Sequence, residues 1–274
     1  MHYSRRSFLK DTSLTALLLA GTGFRQLSGD ELENTRKKVI LRFALASDGH
    51  YGQANTPGDE SFEKITAAIN NFHKQQSLHC CIINGDIIHN EKELLTRAKN
   101  HLDKLVVPFY VAKGNHDMVS DEYWQQVWGT SPDHIVKHKK HTFIIANTSN
   151  EKGEYLSPDL KWLKIQLDAN KKQSTIFLVL HIPQTKWTAN AIETPAFFEL
   201  VKKYKNIKAV FHGHEHDQDS VKWRDGIPYL FDSHFGGNWG TSYKGFRVVE
   251  LLNDNSIITY VMNPAEKINE MVHQ

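Results

Sequence analysis

Apolar and polar positions come in blocks along this chain. Residues 39–47, "VILRFALAS", are β-branched and apolar and predict a buried strand. After a polar stretch with Pro57 and Gly58, "SFEKITAAINNFHKQQ" sets Phe62, Ile65, Ile69 and Phe72 at helical spacing. "LHCCIIN" reads as a second strand. "KELLTRAKNHLDKL" reads as a second helix, with Leu94, Leu95, Ala98, Leu102 and Leu105 on one side. Pro108 opens a third strand, "FYVA". The three strands run into polar loops, "DGHYG", "GDIIHN" and "KGNHD". Strand, polar loop and helix in succession predict an α/β fold with a largely parallel sheet.

The second half changes character. "HTFIIAN" and "STIFLVLH" predict strands, with the helix "DLKWLKIQLDAN" between them. Ser157 and Pro158 are expected to be its N-cap and first-turn pair. The helix "PAFFELVKKY" leads to the strand "IKAVFHGH". "SVKWRDGIPYLF" predicts a hairpin turning at Asp225-Gly226. "GFRVVELL" and "SIITYVM" follow, joined by a turn at residues 253–255. These last strands lack helices between them and are expected to be antiparallel. The sum is an α/β domain over residues 39–274, a two-layered mixed sheet sandwich flanked by helices.

Charge separates the N-terminus from this body. The formal net charge is +2, but residues 1–29 hold Arg5, Arg6, Lys10 and Arg25 against Asp11, which leaves the body near −1. A nucleic-acid partner is not expected, since such binders carry a basic stripe. "SRRSFLK" followed by "DTSLTALLLAGTG" has a charged start and an apolar stretch far shorter than a membrane span. Its adjacent arginines followed by Phe8, Leu9 and Lys10 resemble a bacterial twin-arginine (Tat) export signal. That resemblance implies transport of the folded protein by the Tat translocase to the periplasm. Residues 1–29 are thus expected to be a signal or anchor and residues 30–38 a linker. Membrane attachment is expected only if the signal stays uncleaved. The two cysteines, Cys80 and Cys81, are adjacent in an apolar run and read as small hydrophobes.

The candidate chemistry falls at the predicted strand ends. Asp48 and His50 follow the first strand, Asp86 the second, Asn115 and His116 the third. His181 follows a fourth, and His214 and His216 follow "IKAVFHG". Ligands of open α/β sheets bind at the carboxyl ends of strands, so these side chains should converge. Two aspartates, one amide oxygen and four histidines make seven candidate donors, not counting His116. Seven exceed what one ion takes and suit two divalent ions sharing a carboxylate.

"DGH" at 48–50, "GD" at 85–86, "GNHD" at 114–117, His181 and "GHEH" at 213–216 resemble the calcineurin-like metallophosphoesterases in identity and order. The resemblance implies that Asp48, His50 and His216 hold one metal, that Asn115, His181 and His214 hold a second, and that Asp86 bridges them. It implies Mn, Fe or Zn as the ions and a metal-bridging hydroxide attacking a phosphodiester or phosphomonoester. His116 would contact the phosphate, together with Asn115, or protonate the leaving oxygen, and Asp117 would orient His116. His89 stands where purple acid phosphatases carry their iron-ligating tyrosine. The beginning D-x-H is closer to the bacterial branch with phosphodiesterases. The expected partner is a small phosphate ester. The alternative is a binding protein that keeps the metal and has lost the chemistry.

Other polar stretches read more blandly. His212 is expected at the core edge, Glu215 away from the metals, and His89 and Asn90 in loop packing. "HIVKHKKH" is expected to be a solvated hairpin. The glycine-rich "DSHFGGNWG" around Trp239 reads equally as a pocket rim or a tight turn.

Overall fold

The computed structural model describes residues 16–20, 23–27, 31, 34, 38–232 and 234–263. Among the described residues, thirteen strands form two sheets. They are β1 (Ala16–Ala20), β2 (Gly23–Leu27), β3 (Val39–Ala46), β4 (Cys80–Asn84), β5 (Phe109–Ala112), β6 (His134–His138), β7 (His141–Ile145), β8 (Thr175–Val179), β9 (Ile207–His212), β10 (Val221–Arg224), β11 (Ile227–Phe231), β12 (Phe246–Leu252) and β13 (Ile257–Met262). The first sheet runs β2-β1-β13-β12-β3-β4-β5 and the second β10-β11-β9-β8-β7-β6. Helices α1 (Gly58–Gln75), α2 (Leu95–Leu102) and α3 (Asp121–Trp128) follow the first parallel strands; α4 (Leu160–Asn170) and α5 (Pro195–Val201) flank β8.

Alternation along the strands builds the layers. Leu41, Phe43 and Leu45 of β3 pack between the two sheets with Phe143, Phe177 and Phe211. Ala44 and Ala46, on the other face, meet Phe62, Ile65 and Ile69 of α1. Ile176 and Leu178 of β8 turn outward to Leu163 and Leu167 of α4 and Phe197 of α5. The result is helices, sheet, sheet, helices. Cys80 faces the inter-sheet core and Cys81 the helix side, and both are free thiols.

Most predicted elements are present. The Asp225-Gly226 turn joins β10 to β11 with φ of 52° and 78°, which fits a tight two-residue hairpin. Three details differ. α4 is capped by Asp159, whose side chain accepts from Lys161 N at 2.8 Å and Trp162 N at 3.1 Å, and not by Ser157 and Pro158. Among the late strands, β11 runs parallel to β9, because the chain after His212 crosses to the sheet edge and returns through β10. Helix α3, capped by Ser120, is only eight residues long and was not expected. Two strands fall inside the stretch read as an export signal, where β1 pairs antiparallel with β13 and with β2. Arg5 and Arg6 lie outside the described residues.

Candidate metal centre

All the predicted donors sit just beyond the carboxyl ends of parallel strands. β3, β4 and β5 deliver Asp48, His50, Asp86 and Asn115 from one sheet; β8 and β9 deliver His181, His214 and His216 from the other. None of these seven is more than 7% exposed. Four of them hold left-handed backbone, with φ of 57° at Asp48, 44° at His50, 50° at Asp86 and 70° at His214. Such conformations are costly for residues other than glycine, and they persist where surrounding bonds fix them. Here His50 N donates to Asp86 O at 2.9 Å, and Asp48 N donates to Gly85 O at 3.1 Å. Gly85, at φ 84°, lies so close to the His181 ring that any side chain would overlap it.

Six of the seven predicted donors form two clusters, and His50 also groups with His89 and His116. Asp48, His50 and His216 make one and Asp86, His181 and His214 the other, with the atoms of each within 4.8 Å of one another. His50 Nε2 lies 2.9 Å from His216 Nε2, and His216 Nε2 lies 3.3 Å from Asp48 Oδ1. Asp86 Oδ2 is 3.3 Å from His181 Nε2 and 3.5 Å from His50 Nε2, so one carboxylate oxygen faces both clusters. Asn115 Oδ1 and His214 Nε2 are buried without a hydrogen-bond partner, and His181 Nε2 faces only the carboxylates. Buried polar atoms are ordinarily paired, and leaving them unpaired is costly. Converging carboxylate, amide and imidazole donors left in that state fit divalent cations.

Residues 41–218 match the family model of the calcineurin-like phosphoesterases. The chain belongs to the calcineurin-like phosphoesterase family. It is a hydrolase acting on phosphoric ester bonds. Its fold is shared by solved structures of low sequence identity. A dimetal phosphatase from Danio rerio has 13% identity and a TM-score of 0.66, over 83% of this chain and 98% of that one. The calcineurin-like phosphoesterase YfkN from Bacillus subtilis has 14% identity and a TM-score of 0.54, over 83% and 91%. GAP50, the anchor in the inner membrane complex of Plasmodium, has 16% identity and a TM-score of 0.58, over 86% and 89%. Comparison with curated protein sequences finds no match.

The electrostatics of this phosphoesterase site follow from burying two carboxylates among imidazoles. Burial pushes Asp48 and Asp86 up, but the neighbouring histidines, His181 first, outweigh it and hold both below the usual carboxylate range. Burial alone would lower His181; Asp86 and Asp48 raise it instead, to about 10. His50 and His214 are pushed down to about 3 and about 4, chiefly by burial. The two carboxylates thus stay ionised among the inward nitrogens, with His181 as their charged partner. Outward contacts fix the rings: His181 Nδ1 lies 2.6 Å from Asn84 O, and His216 Nδ1 lies 3.2 Å from Trp239 O.

His116 stands beside the clusters, its ring 4.9 Å from that of His50 and its backbone N donating to Asp86 Oδ1 at 2.7 Å. Asp117 does not orient it. The Asp117 carboxylate is buried and accepts from Ile88 N at 3.0 Å and Gly114 N at 2.9 Å, so it braces the two loops that carry Asp86 and Asn115. The partner of His116 is Asn90, whose Oδ1 lies 2.7 Å from His116 Nδ1. His89 stacks on the same ring at 4.6 Å and 13°, and its Nδ1 lies 3.0 Å from His50 Nδ1. Both were expected in loop packing; the signal for Asn90 is only its place in the loop that starts with Asp86, and for His89 also its place where purple acid phosphatases carry a ligand tyrosine.

The remaining expectations separate cleanly. His212 is buried, with Nδ1 3.0 Å from Leu180 O. Glu215 turns toward the loop after His181, where Asn190 Nδ2 donates to it at 3.4 Å. "HIVKHKKH" forms the β6–β7 hairpin. The glycine-rich stretch wraps the site: Trp239 stacks on His216 at 4.2 Å and 8°, and His234 stacks on His216 at 4.9 Å and 17°.

Proposed function

We propose that this protein hydrolyses a phosphodiester or phosphomonoester at a dinuclear metal centre. The carrying observation is the pair of donor clusters with Asp86 facing both. Asp48, His50 and His216 would hold one ion, Asn115, His181 and His214 the other, and Asp86 would be shared. When bound, two such ions supply Lewis-acid polarisation of the phosphoryl group and lower the pKa of water for in-line attack. His116 lies at the rim of this pocket. An amide oxygen only accepts, so the contact with Asn90 places a proton on His116 Nδ1 and directs Nε2 to the substrate's phosphoryl or leaving oxygen. Likeness to a dimetal phosphatase supports the two-ion reading. The complete donor set, with His116 in place, supports catalysis over binding alone. The near-neutral body supports a small ester as substrate.

We also propose export by the twin-arginine route, supported by residues 4–10. Among the described residues, no helix is long and apolar enough to cross a membrane.

The test is hydrolysis of p-nitrophenyl phosphate and bis-p-nitrophenyl phosphate by protein loaded with Mn²⁺, with metal content measured on the same sample. We expect turnover of at least one ester and two ions per chain. Asp86→Ala should lose both while still melting cooperatively. A fully loaded protein that turns over neither ester overturns the reading.

A further inference from the structure

We propose that this site selects phosphate esters of nucleosides, with Trp239 as the platform for the base. The proposal rests on the phosphoesterase reading and adds the class of substrate. Among the described residues, six large hydrophobic side chains are exposed, and only two of them are aromatic. Both touch a metal-ligand histidine, one in each cluster. Tyr155, 38% exposed, meets the His214 ring edge-on at 4.8 Å. Trp239, 45% exposed, lies flat on His216. A half-exposed indole offers a flat apolar face with one polar N–H, and its position beside the candidate metal centre points to substrate.

Trp239 is fixed before any ligand arrives. His234 backs the His216 ring on which it lies, and Thr241 N donates to His216 O at 3.0 Å. Gly240, at φ 113°, passes against the His216 backbone where no side chain would fit. An aromatic surface held in this way loses little freedom on binding. Beside it runs a groove of about 350 Å³ between residues 55–57 and 234–244, within the range of small-molecule sites. Its polar lining is Asn55, Thr56, His234, Asn238, Thr241 and Lys244. Asparagine amides offer a donor and an acceptor together, which matches the edge of a base. Lys244 Nζ donates to Gly237 O at 2.8 Å, and among the described residues it forms no ion pair. It therefore has a donor for a carbonyl or ring nitrogen. A flat ring for the base and amides for its edge, next to a phosphoryl site, describe a nucleoside phosphate better than a sugar phosphate.

The experiment has two arms. In the first, kcat/KM is measured on metal-loaded protein for a panel of nucleoside 5′-phosphates and cyclic nucleotides, and for glycerol phosphate and glucose 6-phosphate. The ratio of nucleotide to glycerol phosphate cancels any metal lost through His216. It should fall at least about tenfold in Trp239→Ala and much less in Trp239→Phe, as base stacking predicts. In the second arm, adenosine, which has no phosphate, is titrated against tryptophan fluorescence. Saturable quenching is expected in the wild type, lost in Trp239→Ala and weakened in Asn55→Ala. An unchanged ratio in Trp239→Ala overturns the proposal, as does wild-type preference for glucose 6-phosphate over every nucleotide. Absence of any turnover with adenosine quenching intact would sink the phosphoesterase reading and support the groove assignment.

Discussion

Asn90 shows how much a single neutral partner decides. The Asn90 amide fixes the His116 ring without adding charge. Asn90→Ala should lower kcat about tenfold to a hundredfold and leave KM within about threefold, because orientation for proton transfer is lost and binding is not. The loss should be larger for alkyl than for p-nitrophenyl esters, whose leaving group needs no proton. Steady-state kinetics on metal-loaded protein check this; equal losses on both esters would count against His116 as an acid. His212 carries a different prediction. Burial lowers it to about 3, against an ordinary value of 6.5. Below pH 6.5 the unfolded chain takes the proton first, so this residue's stabilising share is full above 6.5 and is lost as pH falls toward 3. The slope approaches about 1.4 kcal/mol per pH unit for one proton. Urea midpoints from pH 7.5 to 4.5 should fall more steeply in the wild type than in His212→Phe. His50 and His214 shift the same way but are common to both proteins.

At the scale of elements, the strand–loop junction is where the sequence was most informative. β3, β4, β5, β8 and β9 could be read from apolar runs, because strands buried on both faces need no polar alternation. Their polar ends marked the site for the same reason: an apolar run that stops at Asp, Asn or His is stopping at solvent or at a ligand. Cap positions and the parallel placement of β11 were illegible, since they depend on which neighbours arrive from far along the chain. The junctions also predict unequal mutational costs. Asp159→Ala removes the α4 cap, which costs about 1 kcal/mol, and should lower the melting temperature with activity unchanged. Gly85→Ala demands a side chain at φ 84° against the His181 ring. It should displace the histidine and reduce bound metal and activity together, out of proportion to any change in melting temperature. Metal analysis and calorimetry on the two variants separate the effects; a Gly85→Ala protein with full metal would refute the close-approach argument.

At the scale of the molecule, the order of the motifs was legible and their side-chain partners were not. The donors from Asp48 to His216 could be assembled from strand ends alone. Asn90 on His116, Asp117 on two loop amides and Trp239 on His216 were fixed only when separate loops packed together. That dependence bears on export. The two donor clusters draw on both sheets, so neither exists until strands over 120 residues apart, β3 with β9 for one and β4 with β9 for the other, belong to one folded body. A metal acquired inside the cell would be retained only by folded protein, and a pathway that carries folded proteins suits that requirement. On the proposed twin-arginine route, Arg5 and Arg6 would provide the handle. Replacing both with lysine keeps the charge and removes the paired guanidinium groups. We expect Arg5→Lys with Arg6→Lys to leave the full chain in the cytoplasm, folded, metal-loaded and active on p-nitrophenyl esters, while the wild type is recovered from the periplasm. Fractionation with an activity assay on each fraction decides it: export of the double variant at the wild-type level would remove the twin-arginine assignment, and an inactive cytoplasmic variant would show that the site is completed only after export.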